Sequence, residues 1–345
     1  MISLLNTQNF DEGIRKLILK LPLLCFPLVL IAFKTVIPDF KKWLILIFAY
    51  ALYLPGIVSV YNYFSNKTLF DDLILQSKPL PIEFGYGIYH IQFSVLIAAS
   101  IIIGLYWLIN LSISKKFDFY FYILLFLVIS NFIIIHVLTA RTGILSLYAA
   151  LFVLILIKLT QMQFKTKLLV AISIVVLPTV MLLSSPALKN RLINSIEDVK
   201  VLKQGKDVND YSFAMRVEAW KNAVNVIGKH PYLGVGIGDV EAVLNDNFIT
   251  FNPSILPKNR KNPHLQFLET MVESGVLNGL FLLLFFLILF VVGITLKSQR
   301  LALLLGVVFF ISCLFESILE RQATVVGFAL LLAFTMSLSI EKESV

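Results

Sequence analysis

Apolar residues along this chain come in long runs separated by short polar junctions. The runs Leu17 to Phe33, Trp43 to Tyr63, Tyr89 to Ile109, Phe119 to Leu138, Gly143 to Leu159, Leu168 to Ser185, Val276 to Leu296, Leu301 to Ile318 and Thr324 to Ile340 make about nine candidate spans. A bilayer core about 30 Å thick needs roughly 20 apolar residues per helix, and strand-like alternation dominates nowhere in the chain. The pattern therefore predicts an all-α, polytopic helical membrane protein, since a single segment can satisfy its own backbone in lipid only as a helix.

One stretch breaks the rhythm. Pro186 to Pro263 is about 78 residues without a span, far longer than an ordinary inter-helix connection. Within it, "SFAMRVEAWKNAVNVIGKHPYLGVGIGD" carries Phe213, Val217, Trp220, Val224 and Ile227 at offsets 0, 4, 7, 11 and 14, the stripe of an amphipathic helix. Gly228 and Pro231 then stop it. The expected organisation is an N-terminal bundle over 1–185, a long loop over 186–263, and a C-terminal group of about three spans over 264–345.

Composition agrees with a membrane assignment. Of 345 residues, 58% are hydrophobic and 14% charged, where soluble domains carry about 25% charge. The net charge of +8 sits mostly in short junctions and reads as orientation rather than as a nucleic-acid surface. Cys25 and Cys313 both fall inside apolar runs and form no disulfide framework or metal-type spacing. Lys115 with Lys116, then Lys158, Lys165 and Lys167, then Lys297 and Arg300 mark every second junction, which makes those junctions and the C-terminus cytoplasmic. The 186–263 loop and the corner at Arg141 then lie outside the cytoplasm. Counting back leaves the N-terminus outside, although Arg15, Lys16 and Lys20 favour the cytoplasm, and this conflict points to further spans preceding Met1. The first run has no small-residue cleavage site after it and reads as a retained span.

The polar residues that could do chemistry gather near the loop. In "NPHLQFLETMVESGVLNGL", Asn262 is a good N-cap and Pro263 suits the first helical position, so a helix is expected to start there with His264 in its first turn. The positive end of the helix dipole would keep that imidazole neutral and able to accept a proton. On this wheel Glu269 and Glu273 point away from His264, and Gly275 with Gly279 forms a small-residue face for helix packing. Arg141 in "HVLTARTGIL", Arg216 on the loop helix, and Arg260 just before His264 could meet an anion such as a diphosphate, which guanidinium forks bind well. The alternative is that each snorkels to an interface. Glu316, Glu320 and Arg321 in "FESILERQ" form a second charged patch, either functional or an interfacial salt bridge. His90 and His136 read as structural. The "GVGIGD" glycines lack the third glycine and the βαβ setting of a nucleotide fingerprint.

These motifs resemble the O-antigen ligase and polymerase superfamily. "RTGIL" resembles that family's Arg-x3-Leu at Arg141 and Leu145, and "MRVEAWKNAVNVIGKHPYLGVGIGD" is similar to its Arg, Trp and P-x-x-G-x-G loop segment. His264 and Gly275 have the family's spacing, with Leu265 where a polar residue usually follows the histidine and Asn278 in place of Gly, Thr or Tyr. The resemblance implies a GT-C-like membrane glycosyltransferase of the bacterial cytoplasmic (inner) membrane, with its long loop periplasmic. Its donor would be an undecaprenyl-diphosphate-linked glycan, and its acceptor a hydroxyl on lipid A core (ligase) or on another glycan (polymerase). It further implies that His264 and Arg216 are catalytic, that Arg141, Arg216 and Arg260 bind the diphosphate, and that Glu316, Glu320 and Arg321 support them. No cofactor or metal is expected, and no nucleic-acid partner. A transporter or flippase remains the alternative from the charged patch, and a non-catalytic membrane scaffold a third reading.

Overall fold

A computed structural model describes residues 2–33, 40–75, 89–159, 186–209, 211–260 and 262–340. Among them the secondary structure is helical, without strands: α1 (Phe10–Lys20), α2 (Pro22–Phe33), α3 (Phe40–Ser65), α4 (Lys67–Leu75), α5 (His90–Ile113), α6 (Phe119–Val137), α7 (Arg141–Leu159), α8 (Pro186–Gln204), α9 (Ser212–Lys229), α10 (Val240–Phe251), α11 (Gln266–Ser274), α12 (Val276–Thr295), α13 (Arg300–Phe315) and α14 (Gln322–Ile340). Among the described residues, six helical segments are long and apolar enough to cross a membrane, namely α3, α5, α6, α7, α12 and α13 with the short turn before it, Lys297–Phe315. The protein is an all-α polytopic membrane protein.

The other three expected spans fare differently. Leu168 to Ser185 lies outside the described residues. The last coincides with α14, whose stretch Gln322–Thr335 is a shorter apolar helix. The first, Leu17 to Phe33, is not one helix: α1 ends at Lys20 and α2 starts at Pro22, where proline removes a donor but suits a first turn.

The chain divides into two compact units: 1–25, 191–289 and 312–326 form one, and 26–190, 290–311 and 327–345 the other. In the second unit α5 is the centre, packed by α3, α6 and α7, with Ile97, Ile101, Ile102 and Phe93 almost wholly enclosed. Polar side chains join these helices. The Asn131 amide donates to the Ala49 carbonyl at 3.2 Å, tying α6 to α3, and His136 on α6 meets the Tyr148 hydroxyl on α7 at 3.1 Å. Hydrogen bonds of this kind are a common means of helix association in lipid. His136 thus has a structural role. Arg141 is the first residue of α7 and is exposed.

The first unit is a helical lobe of α1, α9, α10 and α11. The expected loop helix is present as α9, but its apolar stripe is not what it buries. Ala214, Met215, Glu218, Ala219, Asn222, Ala223 and Val226 face inward, while Phe213 and Val224 are 37% and 57% exposed. Small residues let α10 and α11 approach closely, and apolar burial follows through Met215, Phe248 and Ile255 at one end and Val226, Leu244 and Val272 at the other. Buried amides complete the join: Asn222 donates to the Leu244 carbonyl at 3.0 Å, and Asn247 donates to the Asn222 side chain at 2.8 Å. Val217, Trp220 and Val224 of that stripe, with Phe251, line a shallow apolar groove instead, while Ile227 packs against the buried core.

The "GVGIGD" glycines also find their reason here. Residues 3–9 lie across this loop: Asn6 donates to the Gly234 carbonyl, and the Gln8 and Asn9 amides donate to Asp239 at 2.6 and 2.9 Å. A Cβ on Gly236, at φ +99°, would come within 2.6 Å of the Thr7 hydroxyl. These glycines therefore serve close backbone approach in a positive-φ turn.

Candidate active site

The site forms in the helical lobe where α9, the strand-free link before α11, and the turn after α13 meet. His264 does not sit in a helix. Its backbone is left-handed at φ +48°, and α11 begins only at Gln266 with Leu265 as its N-cap residue. The expected helix start at Asn262 and Pro263 fails because their polar groups have other partners. The Asn262 amide donates to Glu269 at 3.1 Å, and the Pro263 carbonyl accepts from the Trp220 indole N–H at 2.7 Å. The dipole argument for a neutral His264 therefore lapses, and the ring is oriented by a side chain instead.

That side chain is Glu316. His264 Nδ1 lies 3.0 Å from Glu316 Oε2, while Arg216 Nη2 donates to Glu316 Oε1 at 2.6 Å and Arg216 Nη1 to the Phe315 carbonyl at 2.7 Å. Burial alone would push the Glu316 carboxyl up, but the hydrogen bond from His264 and the charge of Arg216 outweigh it and hold Glu316 below the usual carboxylate range. An ionised carboxylate only accepts, so the proton in this contact belongs to His264 Nδ1. In the tautomer that carries its single proton on Nδ1, Nε2 is the acceptor, and among the described residues nothing bonds to it. The His264 side chain is 35% exposed, so that nitrogen can be reached.

Arg216 keeps capacity for an anion. Two of its five N–H groups are used by Glu316 and Phe315, and its side chain is 27% exposed. Arg260 is placed less favourably: its Nε reaches the Ile255 carbonyl at 3.4 Å, and it makes no bond to His264 or Glu316 among the described residues. Arg321 is exposed at the end of the turn. Arg141 belongs to the other unit.

Behind His264 lies a second polar cluster that the helical wheel did not reveal. Glu269 and Glu273 make no bond to His264 among the described residues, and they are buried, at 2% and 6% exposure. Glu269 accepts from Asn262 and from the Ser317 hydroxyl. Burial pushes its carboxyl up, the neighbouring Glu320 adds to the shift, and its pKa is raised to about 7. Lys20 lies 2.6 Å from Glu273 and 2.9 Å from Glu320. Gln266 donates to Glu320 at 3.2 Å and accepts from the Leu319 amide at 2.7 Å. The sequence signal for this cluster was Lys20 within an apolar run, a charge that needs a partner.

Gly275 has a different role from helix packing. It ends α11 at φ +90°, and a Cβ there would come within 2.0 Å of the Tyr232 carbonyl oxygen. Gly279 lies on the next helix, against Met271. The two glycines meet different neighbours, Tyr232 and Met271, around the break between α11 and α12, rather than forming one shared packing face. Among the described residues, no group of three or more His, Cys, Asp or Glu side chains is placed to hold a metal ion.

Residues 123–284 match the family described as O-Antigen ligase, a segment that contains Arg141, Arg216, Arg260, His264 and Gly275. Over this segment the chain is similar to the O-antigen ligase family. The match supports a function of the O-antigen ligase or polymerase type in surface polysaccharide assembly, with a lipid-linked glycan and an acceptor as partners in general. Together with the apolar helices it fits a multi-pass protein of the bacterial inner membrane. No curated protein matches the chain.

Proposed function

We propose that this chain transfers a glycan from undecaprenyl diphosphate to a sugar hydroxyl, on lipid A core if it is a ligase or on a second lipid-linked glycan if it is a polymerase. The observation that carries the reading is the Arg216–Glu316–His264 relay. The acceptor hydroxyl donates its hydrogen bond to His264 Nε2. As the oxygen attacks the anomeric carbon, its proton passes to Nε2, and ionised Glu316 at Nδ1 stabilises the imidazolium that forms. The anomeric C–O bond breaks and leaves its electron pair on the diphosphate. The free N–H groups of Arg216 stabilise that leaving group as charge develops on it. Arg260 would assist from the same lobe, and the assignment of Arg141 to the diphosphate rests on its Arg-x3-Leu pattern. The transporter reading draws less support, since the charged patch that suggested it is taken up by Arg216, His264, Lys20 and Gln266 within the lobe.

The test is a deletion strain complemented with wild-type or variant genes and examined for surface glycan by gel. Loss of all capped lipid A core on deletion assigns a ligase, and retention of a single repeat unit assigns a polymerase. Unchanged glycan on deletion would overturn the proposal.

A further inference from the structure

Lys20 is a partly buried charge that the chemistry above leaves unused. It lies outside residues 123–284 and reaches the lobe from the end of α1. Its ammonium bridges two segments, Glu273 near the end of α11 and Glu320 in the turn 316–320. The same segments are joined by Gln266 to Glu320 and Leu319, and by Ser317 to Glu269. At the other end of this turn stands Glu316, and just before α11 stands His264. The turn carries one partner of the relay and the α11 entrance carries the other, so whatever fixes turn to helix fixes their 3.0 Å contact.

We propose that Lys20 is a positioning residue for the Glu316–His264 pair, holding the 316–320 turn against α11 from a helix outside the matched family segment. The inference rests on the relay proposed above for its functional meaning, but the geometry it claims can be measured without any transfer reaction.

Charge makes the role of Lys20 specific. The charged groups around it are Glu273 from α11 and Glu320 from the turn, with Lys16, one turn earlier on α1, acting on the same carboxylates and on Glu269. Of the described cations, Lys20 is the one in contact with both Glu273 and Glu320. Remove it and two enclosed carboxylates lose the cation that bridges them, with Gln266 left as a neutral donor to Glu320. Protonation relieves them at low pH, but on ionisation at higher pH they repel, and the turn carrying Glu316 moves off α11. Simple loss of packing would instead weaken the fold by a similar amount at every pH.

The experiment follows carbethoxylation of His264 by diethyl pyrocarbonate in the full-length protein in detergent, read by mass spectrometry between about pH 6 and pH 9. His230, exposed on the same lobe, serves as the internal reference. Lys20→Arg should keep the wild-type ratio of His264 to His230 modification. Lys20→Met should raise that ratio several-fold as pH rises, because His264 loses its carboxylate partner and both ring nitrogens become accessible. Adding Glu273→Gln to Lys20→Met removes the repulsion but not the loss of the bridge, and should abolish the pH dependence of the rise. Glu320→Gln, an isosteric change that keeps Lys20 paired with Glu273, guards against misfolding of the Lys20→Met variant and should raise the ratio at every pH. A wild-type ratio in both Lys20→Met and Glu320→Gln across the range would overturn the proposal. Wild-type protein with normal ratios but no glycan transfer would instead count against the enzymatic reading alone.

Discussion

His264 Nδ1 lies 3.0 Å from Glu316 Oε2 across 52 residues of sequence, and the other oxygen of that carboxylate is held by Arg216 at 2.6 Å. One carboxylate thus fixes the tautomer of the imidazole and the aim of the guanidinium together. Replacing Glu316 by Gln keeps shape but removes the charge that stabilises His264 when it gains a proton. Transfer should fall by about 10²–10⁴-fold, the usual contribution of general-base catalysis. Single-turnover rates with lipid-linked glycan measure it, and an unchanged rate would remove Glu316 from the relay.

Arg216→Lys keeps the charge but not the fork. A lysine cannot serve Glu316, the Phe315 carbonyl and an anion with the same fixed geometry. A drop of about 10²–10³-fold in kcat is expected, comparable with loss of one preorganised donor to developing charge. The check is the transfer rate at saturating donor.

Trp220 secures the left-handed bend through its 2.7 Å bond to the buried Pro263 carbonyl. Trp220→Phe leaves that carbonyl without its donor and should cost about 1–3 kcal/mol of stability. Thermal unfolding of the purified protein in detergent measures this, and the reactivity of His264 should rise with it.

Glu269 gives stability a pH dependence of defined sign. Its folded pKa is raised to about 7, from an ordinary value near 4.5, by burial and by Glu320. The folded state therefore binds its proton more tightly than the unfolded chain does. This contribution is fully present below the ordinary value and is lost as pH rises through about 7. Glu269→Gln, which mimics the protonated carboxyl, should flatten the melting temperature across that window. Glu316 acts in the opposite sense: its lowered pKa contributes stability above the ordinary carboxylate value, lost as pH falls below it.

Gly275 tests the break between α11 and α12. With φ +90° and the Tyr232 carbonyl in the way, Gly275→Ala should destabilise by more than about 1 kcal/mol, visible as a lowered melting temperature.

The spans were legible because a membrane helix must be apolar along its length, and α3, α5, α6, α7, α12 and α13 each begin within a few residues of the run that marks them. The residues of the relay were legible as types: His264 and Arg216 stood out as polar groups at a membrane-facing loop, and Glu316 as a charge at a span end. Their relation was not. Glu316 reaches His264 only because a turn after α13 folds onto the entrance of α11, a contact between segments that no local spacing encodes. The helix start at Asn262 and Pro263 misled because capping propensity is local, whereas Asn262 is taken by Glu269 and Pro263 by Trp220. The outward stripe of α9 misled in the same way. Periodicity reports an apolar face but not what covers it, and the close packing of α9 uses alanines and two buried asparagine partners instead.

The most direct test of the relay is glycan transfer by purified protein in lipid vesicles, comparing wild type with His264→Asn. Asparagine tolerates the left-handed backbone at this position, so the bend and fold should survive while the base is lost. The relay predicts transfer reduced by about 10²–10⁴-fold with an unchanged melting temperature. Wild-type transfer by His264→Asn would contradict it.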